Sequence, residues 1–273
     1  MPMWQTAAKD GVVVATYTNP PMNYFCADGT RELGALIAEW QSPAVRVVIL
    51  TGGMTGKFIT HYSVEELAAF ASDREALRTI GISLTAGYHQ LLDGLRALPK
   101  PVIVAMNGDT MGGGFELALS CDLRIAATGD HRFGFPEVKL GIIPGGSGTQ
   151  KLSRLVGLAT TIDLVLRSRL LQPEEARALG LVHELADDAL ARAKEIGAEM
   201  AQLPPLALAM AKRAIYDGFD THLQAGLRIE DSAFLETMMS DDALAAMQTY
   251  IAQSYEKRRA WLEHPEAPTY KAR

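Results

Sequence analysis

One stretch of this chain, residues 100–150, constrains the fold more than any other. It opens with a short apolar run, residues 102–106, whose length and composition are typical of a buried strand. Three glycines, residues 112–114, then lead directly into a helical pattern over residues 115–120. A helix that begins beside glycines directs free amide N–H groups and the positive end of its dipole toward a point that a ligand can approach closely. The stretch therefore predicts a strand-to-helix corner that can bind a developing oxyanion.

Two glutamates accompany this corner. Glu116 falls in the first turn of the predicted helix, and Glu137 follows Pro136, 21 residues further along the chain. Taken singly, Glu116 could merely complement the helix dipole and Glu137 could be an ordinary loop carboxylate. A pair can do more, because one carboxylate can take a proton from water while a proton is delivered to a neighbouring carbon. We therefore take Glu116 and Glu137 as candidate catalytic residues.

Composition excludes several classes of protein. The 273 residues are 48% hydrophobic, enough for a sizeable core, and favour one domain with an appendage. The net charge of −6 does not indicate a nucleic-acid-binding surface, so no nucleic-acid partner is expected. No apolar run reaches the roughly 18 residues of a membrane span, so no membrane association is expected. The N-terminus lacks the pattern of a secretory signal. Cys26 and Cys121 are the only cysteines, and we expect both to be free thiols in the cytoplasm.

Capping signals divide the rest of the chain into helices. Asp28 and Asp187 are each predicted to begin a helix, and Ser63 opens a capping box. A second capping box at Ser72 predicts one long helix that carries an apolar leucine stripe. From residue 206 to about residue 263 the pattern is entirely helical.

Three other motifs are rejected. The glycines of residues 52–57 resemble a phosphate-binding loop, but their spacing is wrong and Phe58 replaces the required Ser or Thr. Residues 145–149 approach a nucleophile elbow but lack its second required glycine. The six histidines show no ligand spacing such as His-Glu-x-x-His, so no metal site is predicted.

The letters GGGFELALSCD, followed by FGFPEVKLGIIPGGSGTQKL, resemble the crotonase family, also called the enoyl-CoA hydratase/isomerase superfamily. The similarity extends from Val12 to about Lys257. It implies an α/β fold: a crotonase-like spiral of β-β-α units with a C-terminal helical trimerisation region. Residues 1–203 would form the acyl-CoA-binding core. Residues 204–273 would form the helical region that packs subunits into a homotrimer or a dimer of trimers.

The resemblance also assigns roles to residues. The amides of Tyr62 and Gly113 would form the oxyanion hole for a thioester, and Glu116 and Glu137 would do the acid–base work. The residues assigned to substrate binding are Ile59, Thr60, His61, Gly112 and Pro136.

One loop departs from the family pattern. There the family reads roughly Phe-x-Ala-Gly-x-Asp, whereas this chain has His61 at the Gly position and Ser63 at the Asp position. Ser63 can start the following helix as an Asp would. A histidine adopts the backbone angles of a glycine less easily, so the sequence does not explain why His61 stands at this position.

The reaction implied by the resemblance is reversible syn addition of water to a 2,3-enoyl-CoA thioester. No metal or redox cofactor is implied, since CoA is part of the substrate. The alternatives are double-bond isomerisation, hydration coupled to retro-aldol cleavage of an aryl acyl-CoA, and a noncatalytic scaffold. Retention of both glutamates favours hydration, because isomerisation can run on one.

Overall fold

A computed structural model describes residues 2–263 and 270 of the chain. The fold is α/β, as predicted. The strands are β1 (Trp4–Lys9), β2 (Val12–Tyr17), β3 (Val47–Gly52), β4 (Gly56–Lys57), β5 (Val102–Met106), β6 (Gly108–Met111), β7 (Leu123–Ala127), β8 (Phe133–Gly134), β9 (Leu170–Leu171) and β10 (Glu184–Ala186). The helices are α1 (Ala27–Glu39), α2 (Val64–Ser72), α3 (Arg74–Ile80), α4 (Ala86–Ala97), α5 (Gly112–Ala118), α6 (Gly148–Val156), α7 (Leu158–Leu166), α8 (Pro173–Ala178), α9 (Ala189–Ala201), α10 (Pro205–Phe219), α11 (Leu223–Met238), α12 (Asp241–Ile251) and α13 (Tyr255–Glu263). Short 3₁₀ helices span Gly81–Thr85 and Glu137–Leu140.

The strands form two sheets. The larger has the order β1-β2-β3-β5-β7-β10 and is parallel except for the antiparallel pair β1 and β2. The smaller has the order β4-β6-β8-β9, in which only β8 and β9 are antiparallel. Successive turns of the chain place one strand in each sheet: β3 then β4, β5 then β6, β7 then β8. A helix follows each of these pairs, so the predicted spiral of β-β-α units is confirmed.

Two layers of apolar side chains cover the larger sheet. Every residue of β5 is buried, as expected for a parallel strand covered on both faces. On one face, Val47, Ile49 and Ile103 pack with the alanines of α9. On the other face lie α1, α4 and α5, and this second layer carries the candidate site.

The long helix predicted from Ser72 is wrong. Asp73, not Ser72, caps α3 by accepting the Ala76 amide at 2.9 Å. Gly81, with φ of +57°, ends α3, and a 3₁₀ turn separates it from α4. The apolar leucine stripe is continuous in the sequence, but only its second half, from Leu91 onward, packs in the hydrophobic core. Helix α3 and the 3₁₀ turn bury none of their residues.

Other boundaries differ by a residue or two. Cys26 rather than Asp28 stands at the start of α1, and Asp188 rather than Asp187 caps α9, through the Ala191 amide at 2.9 Å. Ser63 caps α2 as predicted, by accepting the Glu66 amide at 3.2 Å. Strand β1 carries no clear pattern because only its first residue is buried, and it was not predicted.

The chain after residue 204 is helical through α13, as predicted. Lys212 of α10 forms a largely buried ion pair of 2.8 Å with Asp122, which docks this helix on the core. Residues 264–269 and 271–273 lie outside the described residues, and the division of the chain at residue 203 stays a prediction. Of the helices that the structure describes, none combines the length and the apolar character needed to cross a membrane.

Candidate active site

The glycine triplet is the first turn of α5, not the approach to it. Helix α5 begins at Gly112, and all seven of its residues are buried. Gly113 is its second residue, so the Gly113 N–H has no carbonyl four residues back inside the helix. A β-carbon placed on Gly113 would lie 3.1 Å from Cβ and 3.6 Å from the backbone nitrogen of Tyr62. The structure therefore brings together the two residues predicted to form the oxyanion hole.

The loop around Tyr62 is held by strand-like pairing with Phe25. The Phe25 amide donates to the His61 carbonyl at 2.8 Å, and the Ser63 amide donates to the Phe25 carbonyl at 2.7 Å. In such a parallel bridge, the residue between the two bonded groups points its own N–H away from the partner strand. The Tyr62 N–H therefore points away from Phe25, and its nitrogen lies on the side of the loop that faces Gly113.

His61 fits this loop without left-handed backbone angles. The described non-glycine residues with positive φ are Asp10, Asn23, Ser147 and Ser168, and His61 is not one of them. Its ring stacks on Tyr24 at a centroid distance of 4.0 Å, and Nδ1 lies 2.7 Å from the Tyr62 carbonyl oxygen. A histidine is therefore accommodated at this position because its backbone is outside the left-handed region, and its ring packs on an aromatic neighbour.

Glu116 is fixed by a distant glycine loop. Its Oε1 accepts the amides of Gly146 at 2.7 Å and Gly148 at 2.8 Å, and its side chain is buried. Burial raises the pKa of Glu116, while the two amides oppose that change because they stabilise the ionised carboxylate. The residue between them, Ser147, has φ of +82°, which lets consecutive turns aim both N–H groups inward.

Glu137 begins a 3₁₀ turn directly after Pro136. The carboxyl group is buried, and its Oε2 has no hydrogen-bond partner among the described residues. Burial raises the pKa of Glu137 from 4.5 to about 7; the charge of Glu116 adds to this and the Glu137 amide opposes it. An unsatisfied buried oxygen with a pKa near neutrality is suited to exchanging a proton with a ligand.

A cavity of about 360 Å³ lies against these groups. Six of the nine predicted site residues line it: His61, Tyr62, Gly112, Gly113, Pro136 and Glu137. Its remaining walls are largely apolar, with Val64 and Leu67 from α2 on one side and Leu140 and Ile142 on the other. A mostly apolar cavity with a few convergent polar groups is the usual form of a small-molecule site.

The other three predicted residues lie behind the cavity wall. Ile59 is fully buried, and its carbonyl oxygen occupies the place that a β-carbon on Gly114 would need. Thr60 Oγ1 donates to the Met22 carbonyl at 2.6 Å, and the Thr60 carbonyl accepts the Met111 amide at 2.9 Å. In this structure Ile59 and Thr60 therefore support the corner from behind, and their direct contact with substrate stays a prediction. Glu116 also lies beneath the surface, beside Gly146.

Sequence reasoning missed Tyr88 and His89. Tyr88 donates through its hydroxyl to the Gly113 carbonyl at 2.6 Å, and His89 Nε2 lies 2.8 Å from the Gly145 carbonyl oxygen. The only signal was two polar rings within the apolar stripe of α4. Nothing in the sequence connects that helix with glycine segments 25 and 56 residues away.

Comparison with known proteins gives a consistent result. The model of the family described as enoyl-CoA hydratase/isomerase matches residues 7–264. The short-chain-enoyl-CoA hydratase of Clostridium acetobutylicum is 35% identical over 256 residues, which cover 92% of this chain and 94% of that protein. The mitochondrial methylglutaconyl-CoA hydratase of Rattus norvegicus is 33% identical over 212 residues, covering 76% of this chain and 65% of that protein.

Among solved structures, the enoyl-CoA hydratase from Bacillus anthracis superposes with a TM-score of 0.86 at 29% identity. The superposition covers 99% of this chain and all of that chain. The sequence match and the fold match therefore agree. This chain belongs to the enoyl-CoA hydratase/isomerase family.

Proposed function

We propose that this protein is an enoyl-CoA hydratase that reversibly adds water across the 2,3 double bond of an enoyl-CoA thioester. The observation that carries the proposal is the pair of buried carboxyl groups, Glu116 and Glu137, whose charges interact beside two converging backbone amides. Addition of water needs both a proton acceptor and a proton donor, and the pair supplies one of each.

The amides come first in the proposed reaction. The thioester oxygen accepts hydrogen bonds from the N–H groups of Tyr62 and Gly113, and α5 directs the positive end of its dipole at the same point. Negative charge grows on this oxygen as an enolate forms. Fixed donors that face a developing charge lower the barrier without having to reorganise.

The two carboxyl groups then divide the proton transfers. Glu116, whose Oε1 is held by two amide donors, is the ionised group that takes a proton from water as the water oxygen bonds to C3. Glu137, with a pKa of about 7, is the protonated group that gives its proton to C2 of the enolate. Each carboxyl group exchanges one proton, and the starting state returns when Glu116 loses and Glu137 regains a proton.

The competing reactions have less support. Double-bond isomerisation shuttles one proton between C2 and C4 and can run on a single glutamate, so it leaves the second buried carboxyl without a role. A noncatalytic scaffold would not need Oε2 of Glu137 buried without a partner, which is costly unless a ligand uses it. Retro-aldol cleavage would follow hydration at the same groups, and no separate feature of the cavity favours it.

The direct test is incubation with crotonyl-CoA while the absorbance of the conjugated enoyl thioester is followed. Loss of that absorbance, with 3-hydroxybutyryl-CoA as the product, is the expected result. A shift of the double bond without water incorporation would instead identify an isomerase. No change with several enoyl-CoA chain lengths would contradict the proposed activity.

We further propose that the chain assembles into a trimer or a pair of trimers. Helix α11 and the residue after it expose large apolar side chains, including Leu223, Phe234 and Met239, of which Met239 is 77% exposed. Apolar surface of this extent in a soluble protein marks an interaction site. Analytical ultracentrifugation at micromolar concentration should give a trimer or hexamer, and a monomer alone would contradict the proposal.

Two finer points belong to the same proposal. The reaction uses only carboxyl groups and backbone amides, so it should need no metal or redox cofactor, and activity should survive dialysis against EDTA.

Cys26 and Cys121 are both buried and free, in accord with a place in the reducing cytoplasm. Fractionation of the source cells tests that location.

A further inference from the structure

Tyr88 of α4 contacts both halves of the proposed oxyanion hole. Its hydroxyl donates to the Gly113 carbonyl at 2.6 Å, and its ring meets the ring of Tyr62 edge-on at a centroid distance of 6.0 Å. A β-carbon on Gly146, in the loop that holds Glu116, would clash with the Tyr88 ring. One half-buried side chain thus touches the two amide-bearing residues and the segment that fixes the base.

The first turn of α5 has no side chains of its own to hold it in place. Each of its three glycines loses more conformational entropy in a helix than another residue would, and none has a side chain to pack. Its start is held by the Met111 amide on the Thr60 carbonyl, and Gly114 lies against Ile59. Between these two points, the Tyr88 hydroxyl donates a hydrogen bond to the Gly113 carbonyl from outside the helix.

His89, the next residue of α4, contacts the glycine loop that holds Glu116. His89 Nε2 lies 2.8 Å from the carbonyl oxygen of Gly145, the residue before the Gly146 amide that binds Glu116. Two consecutive residues of one helix therefore hold the glycine corner and the glycine loop relative to each other. Because α4 is anchored in the core through Leu91, Leu92 and Leu95, it is a rigid reference for both.

We propose that Tyr88 is a positioning residue for the reaction: its O–H fixes the Gly113 segment so that the Gly113 N–H faces the thioester oxygen. The inference rests on the proposed function. The charge on that oxygen is greater in the transition state than in the bound substrate. Loss of the hydroxyl therefore lowers kcat and changes KM little.

The test compares Tyr88→Phe with Tyr17→Phe in the intact protein. Tyr17 is a matched control, because its buried hydroxyl also donates to a backbone carbonyl, that of Tyr24 at 2.8 Å, and it does not line the cavity. Tyr88→Phe should lose about tenfold in kcat, with KM within about threefold of wild type, and Tyr17→Phe should lose neither. An equal loss of kcat in both variants would attribute the effect to general packing and overturn the proposal.

A second measurement does not require turnover. The probe is an enoyl-CoA that carries a conjugated electron-donating aryl group, whose absorbance moves to longer wavelength when hydrogen bonds polarise its thioester carbonyl. Tyr88→Phe should bind this probe with a similar Kd but a smaller red shift than wild type and Tyr17→Phe. An unchanged red shift would overturn the role of Tyr88 even if the rate falls.

The two measurements also separate this inference from the proposed function. The wild type could fail to hydrate any enoyl-CoA and still show a red shift that depends on Tyr88. That result would contradict the hydratase assignment and support the positioning role. If Tyr88→Phe does not fold, a fluorinated tyrosine at position 88 keeps the ring and makes the O–H a stronger donor. The red shift should then increase, and no increase would contradict the proposal.

Discussion

The carboxylate of Glu116 accepts a 2.7 Å hydrogen bond from the amide of Gly146, thirty residues further along the chain. A second amide, from Gly148, binds the same oxygen. The side chain of Glu116 is therefore not positioned by its own helix alone. The loop after the 3₁₀ turn of Glu137 returns over α5 and holds the carboxylate, so the two glutamates are linked by one continuous segment.

Replacing either glutamate should cost most of the activity. Glu116→Gln and Glu137→Gln should each lower kcat for hydration by roughly 10²–10⁴-fold, the usual contribution of a general acid or base. The double variant should lose far less than the product of the two losses, because both groups act on one water addition. Steady-state kinetics on crotonyl-CoA measures this, with exposed Glu39→Gln as the control. Full activity in either single variant would rule out the proposed division of roles.

The raised pKa of Glu137 should appear in the pH dependence of stability. Between its usual value of 4.5 and about 7, the folded protein keeps a proton that the unfolded chain releases. The contribution of Glu137 to the free energy of unfolding is therefore fully present below about pH 4.5. It is lost as the pH rises through about 7, and at 1.36 kcal/mol per pKa unit it amounts to about 3 kcal/mol at most.

Urea unfolding of wild type and Glu137→Gln at pH values from 5 to 8 checks this. The stability of wild type relative to the variant should decline steadily as the pH rises, since the glutamine side chain of the variant cannot titrate. A constant difference across this range would mean that the pKa of Glu137 is not raised. Hydration activity should fall through the same pH range, because the proton donor is lost.

A methyl group at position 146 should disrupt the site without changing any functional group. A β-carbon on Gly146 would clash with Oε2 of Glu116 and with the ring of Tyr88, so one of them must move. Gly146→Ala should therefore lower kcat by about 10²-fold, the typical effect of misplacing a reacting group by about 1 Å. The neighbouring change Gly145→Ala meets only a Thr85 methyl at 3.4 Å and the Ile143 carbonyl oxygen at 3.9 Å, and it is the matched control. Equal activity of the two variants would show that Glu116 and Tyr88 adjust freely.

Ser147 should be a position where substitution stabilises the protein. Its φ of +82° is unfavourable for a residue with a β-carbon, and its buried Oγ has no hydrogen-bond partner among the described residues. Ser147→Gly relieves both and should raise the free energy of unfolding by about 1 kcal/mol. Ser147→Ala removes only the hydroxyl and should gain less. Urea unfolding measures both, and a gain from Ala that matches the gain from Gly would show that the backbone is not strained.

The sequence was most informative where a local pattern has a local cause. The capping serine Ser63, the buried strand β5 and the helical C-terminal region were predicted correctly, because a cap, an apolar run and a helical period each act within a few residues. The long helix from Ser72 was wrong for a reason that is not local. Leu77, Ile80 and Leu84 continue the stripe of α4, but no core lies opposite them, and Gly81 ends the helix instead.

For the candidate site, the sequence by itself determined the chemical groups: two glutamates, a glycine corner and a loop that departs from the family pattern at His61 and Ser63. Only the tertiary structure decided how they meet. Pairing with Phe25 places Tyr62 against Gly113. Ile59 and Thr60 lie behind the cavity wall. Tyr88 and His89 contact the two glycine segments. These contacts join residues that are far apart in the chain. Their geometry depends on the packing of α4 and α5 against the larger sheet, which no short-range pattern encodes.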